Sequence, residues 1–133
     1  MSLQIKTSIT QISASTSMAA ARQHTSLVDR PANKGGSDRG PMGGELLLMG
    51  VGGCFMSNLL GAAAAKNIAL AQTVVEVCAE LDGTPPRFSS VTLTVKGGTS
   101  DRDGLAALIS QAEQACISIN TLKGQVAVGI AIA

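Results

Sequence analysis

The chain has 133 residues, a formal net charge of +1 and only 14% charged residues. That suits a single domain spanning residues 1–133 with one core, and it offers no basic surface to nucleic acid or an anionic membrane. Aromatic residues are Phe55 and Phe88 alone, and three widely spaced cysteines with no CxxC and a single histidine indicate neither a disulfide framework nor a zinc site, so no cofactor is expected.

The opening MSLQIKTSITQ lacks the charged start and apolar core of a secretory signal. The protein is therefore expected in the cytoplasm, where cysteines that do pair are usually catalytic or redox sensing. Leu3, Ile5, Thr7 and Ile9 alternate with polar residues, which predicts a half-buried strand over about residues 3 to 12. Ser13 to Ser17 reads as a turn region. MAAARQHTSLVD then supplies one bent strand or two short ones, closing at Asp29. Arg30 to Gly44, dense in Pro, Gly, Asn and Asp, reads as a loop, and its length is of the kind that carries function in compact domains.

Glu45 to Lys66, ELLLMGVGGCFMSNLLGAAAAK, has no charged side chain between its two ends. At about 100° per residue Gly50, Gly53, Cys54, Ser57, Gly61 and Ala64 form one narrow stripe, while Leu48, Phe55, Leu59, Met49, Met56 and Leu60 cover much of the rest. A helix apolar on every face belongs inside something. The small-residue stripe is expected to admit a second helix, leaving Cys54 in the seam. About twenty uncharged residues are also what a membrane span needs. Four glycines, Ser57 and Asn58 dilute the run, however, and no Trp, Tyr or basic cluster marks an interface. Burial is instead expected to come from a second subunit, in an obligate homodimer.

After the helix, Val75, Val77, Ala79 and Leu81 alternate with Glu76, Cys78 and Glu80. GTPPR (83–87) is a turn, and Phe88 to Lys96 is the partner strand of a hairpin. Cys78 points with the polar side chains and reads as a passenger. Ser100 and Asp103 are placed as N-cap and N3 of a second helix, on which Leu105, Leu108, Ile109, Ala112, Cys116 and Ile119 share a stripe. Leu122 to Gly124 ends it, and Val126 to Ile132 reads as a closing strand.

Cys54 and Cys116, each on the buried stripe of its own helix, are either two unrelated core residues or one redox pair. GVGGC lacks the glycine spacing of a dinucleotide fingerprint and follows a loop. The run HTSLVDRPANKGGSDRGPMGGELLLMGVGGCF, the alternating strands and then AEQACISINTLKG resemble the OsmC/Ohr family of thiol-dependent hydroperoxide reductases over nearly the whole chain, most closely its less characterised OsmC-like members.

The resemblance implies an α+β fold: an intertwined homodimer with two long central helices wrapped by antiparallel sheets. It implies that Cys54 attacks the peroxide oxygen to become a sulfenic acid, and that Cys116 resolves it to a disulfide reduced by an external dithiol. Organic hydroperoxides are then the expected substrates. A thiolate is the nucleophile, so a cation or amide donors must lower the Cys54 pKa. The family places an arginine and a glutamate beside the reactive sulfur. Arg22 and Arg39 are the arginine candidates, and each is equally readable as a solvated surface charge. His24, which follows Arg22 in a predicted strand, reads as structural or as a surface residue. The chain has Gly44 where the family has its glutamate, so Glu45 is either a displaced substitute or a helix-start acid. In an unbroken helix nine residues put Glu45 opposite Cys54, so the catalytic role requires the helix to begin after it. The competing reading is a non-catalytic dimer of the same fold that binds a small apolar ligand or a partner.

Overall fold

A computed structural model describes all 133 residues, and the chain forms two compact units, Met1–Leu47 and Leu48–Ala133. The secondary structure is mixed α and β, with two three-stranded sheets.

The first unit carries strands β1 (Ser8–Gln11), β2 (Ser17–Ala21) and β3 (His24–Val28) in an antiparallel meander. The strand expected over about residues 3 to 12 is confined to β1. Register explains this: Ser8 already faces Ala20, so residues before Thr7 run past the end of β2 and find no ladder partner there. MAAARQHTSLVD resolves into two strands, not one bent strand. They meet at a two-residue turn, since Ala21 pairs with His24, and Arg22 stands in that turn with φ +55, not in a strand.

The long loop that follows is ordered by Asp29, which is only 3% exposed. Its carboxylate accepts hydrogen bonds from the Thr16 hydroxyl (2.8 Å), the Arg30 N–H (2.7 Å) and the Arg39 N–H (3.2 Å). The loop makes a 3-10 turn at Ala32–Lys34. It returns close to its start at Gly36, where a Cβ would collide with the Arg30 carbonyl. No hydrophobic side chain of residues 1–47 is fully buried; the buried side chains of this unit are Thr16 and Asp29. A three-stranded sheet is not stable on its ladder alone and needs an apolar cover.

Helix α1 (Gly43–Ala65) begins in this unit and continues through the second. It starts two residues before Glu45, because Met42 and Glu45 close a cap. The Leu46 N–H reaches the Met42 carbonyl, and the Glu45 carboxylate accepts from the Met42 N–H at 2.9 Å. By length and composition α1 is apolar enough to cross a membrane.

The second unit stacks helices on a sheet of β4 (Ala71–Asp82), β5 (Arg87–Gly98) and β6 (Ala127–Ile132). β4 and β5 form the expected hairpin, Val77 opposite Leu93. β6 pairs with β5 in parallel, Val91 opposite Val128, which corrects the expectation of wholly antiparallel sheets. A parallel neighbour requires a crossover, and α2 (Arg102–Ala115) and α3 (Ile117–Leu122) provide it.

Within the chain the larger side chains of α1 form its buried face. Val51, Phe55, Leu59 and Ala63, at four-residue steps, join Val91, Leu93 and Val95 of β5 and Leu105 and Leu108 of α2 in the core. Gly52 lets the helix approach β4 closely, since a Cβ there would lie 2.8 Å from Val77 Cγ2. The small-residue stripe is mostly open: Gly53, Ser57 and Gly61 are exposed, and nothing lies within 4 Å of where a Cβ on Gly50, Gly53 or Gly61 would be. Larger apolar side chains lose more free energy when left in water, so they take the packed face.

Candidate active site

Cys116 owes its position to a helix break that the periodicity of its segment does not announce. α2 starts one residue later than the Ser100 cap predicts. Asp101 is the N-cap, accepting the Gly104 N–H at 2.9 Å, and Asp103 lies in the first turn. One continuous helix would then run to Leu122. Instead Cys116 adopts φ −76, ψ 110, ending α2 and opening α3. The break is stabilised locally. The Asn120 side-chain amide donates to the Gln114 carbonyl (2.9 Å), and the Asn120 backbone N–H to the Cys116 carbonyl (2.9 Å). Because residues 117 and 118 no longer continue α2, their N–H groups lose the carbonyls four residues back. They turn to a different acceptor.

That acceptor is the sulfur of Cys54, which is half-buried on α1. Burial by itself would raise the Cys54 thiol pKa. Hydrogen bonds from the Ser118 N–H, the Cys116 thiol, the Ser118 hydroxyl and the Ile117 N–H outweigh it and bring the pKa below the ordinary thiol value. Cys116, fully buried, moves the opposite way. Burial raises its pKa first, and its role as hydrogen-bond donor to Cys54 and the Coulombic cost of a second anion beside Cys54 add to that, against the Ile119 and Ser118 N–H groups. Both thiols are free, each acts on the other's ionisation, and their pKa values are driven apart, the pattern that separates roles in a pair of titratable groups. Cys54 carries the negative charge more readily, and Cys116 keeps its proton.

Residues 35–131 match the family model described as OsmC-like protein. The chain belongs to the OsmC-like protein family. Its fold is similar to that of an OsmC like protein from Mycoplasma pneumoniae (18% identity, 100% of this chain and 98% of that one, TM-score 0.85). It is also similar to an organic hydroperoxide resistance protein from Elizabethkingia anophelis (19%, 100% and 97%, TM-score 0.76). A third is the organic hydroperoxide resistance protein OhrB of Bacillus subtilis (22%, 98% and 98%, TM-score 0.71). No curated protein matches the chain. At such identities the likeness is one of fold.

The other candidates of this OsmC-like protein are described each within its own unit. Glu45 lies inside α1 and is engaged with the Met42 N–H, so the condition for its catalytic role, a helix beginning after it, does not hold; it serves the helix start. Arg22 is exposed in the β2–β3 turn. The Arg39 side chain is exposed, while its backbone N–H serves Asp29. His24 opens β3 and is exposed. Cys78 is exposed on β4. Three residues that act on Cys54 were not singled out from the sequence: Ile117, Ser118 and Asn58. The first two follow only from the break at Cys116. Asn58 had a sequence signal, since it stands four residues after Cys54 on the same helix face.

Proposed function

We propose that this OsmC-like protein is a thiol-dependent peroxidase that reduces organic hydroperoxides, with Cys54 as nucleophile and Cys116 as resolving thiol. The observation that carries this reading is the opposite displacement of the two thiol pKa values, each influenced by the other. Two unrelated core cysteines would both be pushed up by burial. Hydroperoxide resistance proteins among the fold relatives support the substrate class.

In the first step the Cys54 thiolate attacks the terminal oxygen of ROOH. The S–O bond forms, the O–O bond breaks, and the alkoxide leaves and is protonated to ROH. In the second, the Cys116 sulfur attacks the sulfenic sulfur; the S–S bond forms, the S–O bond breaks, and the Cys116 proton leaves with the oxygen as water. An external dithiol supplies two electrons and two protons to restore both thiols. The hydrogen bonds on Cys54 supply part of the electrostatics, and Arg22 and Arg39 stay the candidates for the cation that the family places beside the thiolate.

We also propose that the working form is a homodimer. Leu47, Met49 and Leu60 of α1 are 51%, 58% and 48% exposed, and the first unit buries no hydrophobic side chain completely. A second copy covers such faces at no cost in solubility.

Turnover of cumene hydroperoxide with a dithiol tests the peroxidase. Cys54→Ser abolishes consumption. Cys116→Ser leaves one sulfenate-forming event per chain and then stalls or over-oxidises, and stoichiometric peroxide links Cys54 to Cys116 while Cys78 stays free. If all three thiols survive peroxide, or Cys54→Ser consumes it as fast as the parent, the enzyme reading falls and the ligand-binding dimer replaces it.

A further inference from the structure

Asn58 is not part of the thiol pair, yet its side chain is committed to Cys54 twice. It stands one helical turn further along α1 and is half-buried. Its amide nitrogen lies 2.9 Å from the Cys54 carbonyl and 3.8 Å from the Cys54 sulfur. The orientation of the amide is dictated by its first partner. A carbonyl only accepts, so the NH₂ end and not the oxygen must face it, and the same NH₂ group is then the one beside the sulfur. An asparagine in the middle of a helix is a poor helix former, because its side chain competes for backbone groups. Here that competition points an N–H at the reactive atom.

We propose that Asn58 is a positioning residue for the Cys54 sulfur: anchored on the Cys54 carbonyl, it donates a hydrogen bond that orients the sulfur on the α1 side and favours its anionic form. The role rests on Cys54 being the reactive thiol. The donors from residues 116 to 118 approach from the α2–α3 break, whereas Asn58 belongs to the helix of Cys54 itself. The sulfur is therefore held between two elements, and the α1 contact is independent of how the break moves. A thiolate and the sulfenate derived from it are both acceptors, so one N–H serves both states.

The test is the pH dependence of Cys54 alkylation by iodoacetamide, read by mass spectrometry on the Cys54 peptide in a Cys78→Ser background. Asn58→Ala and Asn58→Leu each remove the donor. Alkylation below the thiol midpoint is expected to slow about threefold in both, with the midpoint moving up by about half a pH unit, the size of one weak hydrogen bond as its 3.8 Å length suggests. Because Ala favours the helix and the site is half-exposed, Asn58→Ala folds even where the leucine does not, and circular dichroism checks it. A purely structural asparagine would change thermal stability and leave the midpoint in place. An unchanged midpoint in the folded alanine variant overturns the proposal. The readout needs no peroxide, so a parent protein that consumes none would sink the peroxidase reading while leaving this result to stand or fall by itself.

Discussion

Dilution is the sharpest perturbation for the proposed dimer. Leu47, Met49 and Leu60 of α1 are 51%, 58% and 48% exposed, and apolar side chains of this size left in water are what an obligate homodimer covers. An obligate dimer has no stable folded monomer, so dissociation and unfolding are one step and the midpoint depends on concentration. Each tenfold dilution removes about 1.4 kcal/mol of dimer stability. With an unfolding entropy of about 2.1 cal/mol/K per residue, two chains of 133 residues give about 0.56 kcal/mol/K. The melting midpoint should therefore fall by about 2.5 °C per decade, or about 5 °C between 100 and 1 μM. Circular dichroism melts at three concentrations, with sedimentation equilibrium at the lowest, measure it. A folded 13.4 kDa species with a midpoint independent of concentration would refute the reasoning, and with it the need for a cover over the first unit.

Phe55 is fully buried in the core of the second unit. Phe55→Ala should cost about 3 to 5 kcal/mol, visible as a lower urea midpoint, and a loss below 1 kcal/mol would mean that α1 does not pack on this face. For Asp29, burial alone would raise the pKa, but hydrogen bonds from the Thr16 hydroxyl, the Arg30 and Arg39 N–H groups and the Ser15 hydroxyl outweigh it and hold the carboxyl at about 2 instead of 3.8. A depressed folded-state value means that the unfolded chain binds more protons in this range. The Asp29 contribution is thus present above about pH 4 and lost as pH falls towards 2. Urea titrations between pH 5 and 2 should show the parent losing more stability than Asp29→Asn, and parallel pH profiles would remove that assignment.

Much of the fold was legible because it rests on local chemistry. The period-2 runs at Val75 to Leu81 and Phe88 to Lys96 announce strands whichever way the chain turns. The uncharged stretch after Glu45 announces a helix, and the long apolar stripe from Leu105 to Ala112 another. Cys54 and Cys116 could be named as a candidate pair from their segments and the family they resemble. Three things were decided elsewhere. The face of α1 that packs inward depends on the competition between Phe55 and Leu59 on one side and the glycine stripe on the other, and only the sheet and α2 provide the surface that settles it. The direction of β6 depends on the length of its crossover, not on the pattern of Ala127 to Ile132. The environment of Cys54 depends on the backbone of Cys116, a residue whose apolar periodicity is that of an unbroken helix. Its break is stabilised by Asn120 reaching the Gln114 carbonyl. Periodicity records which side chains want burial, but where a helix ends is set by which backbone groups find another partner.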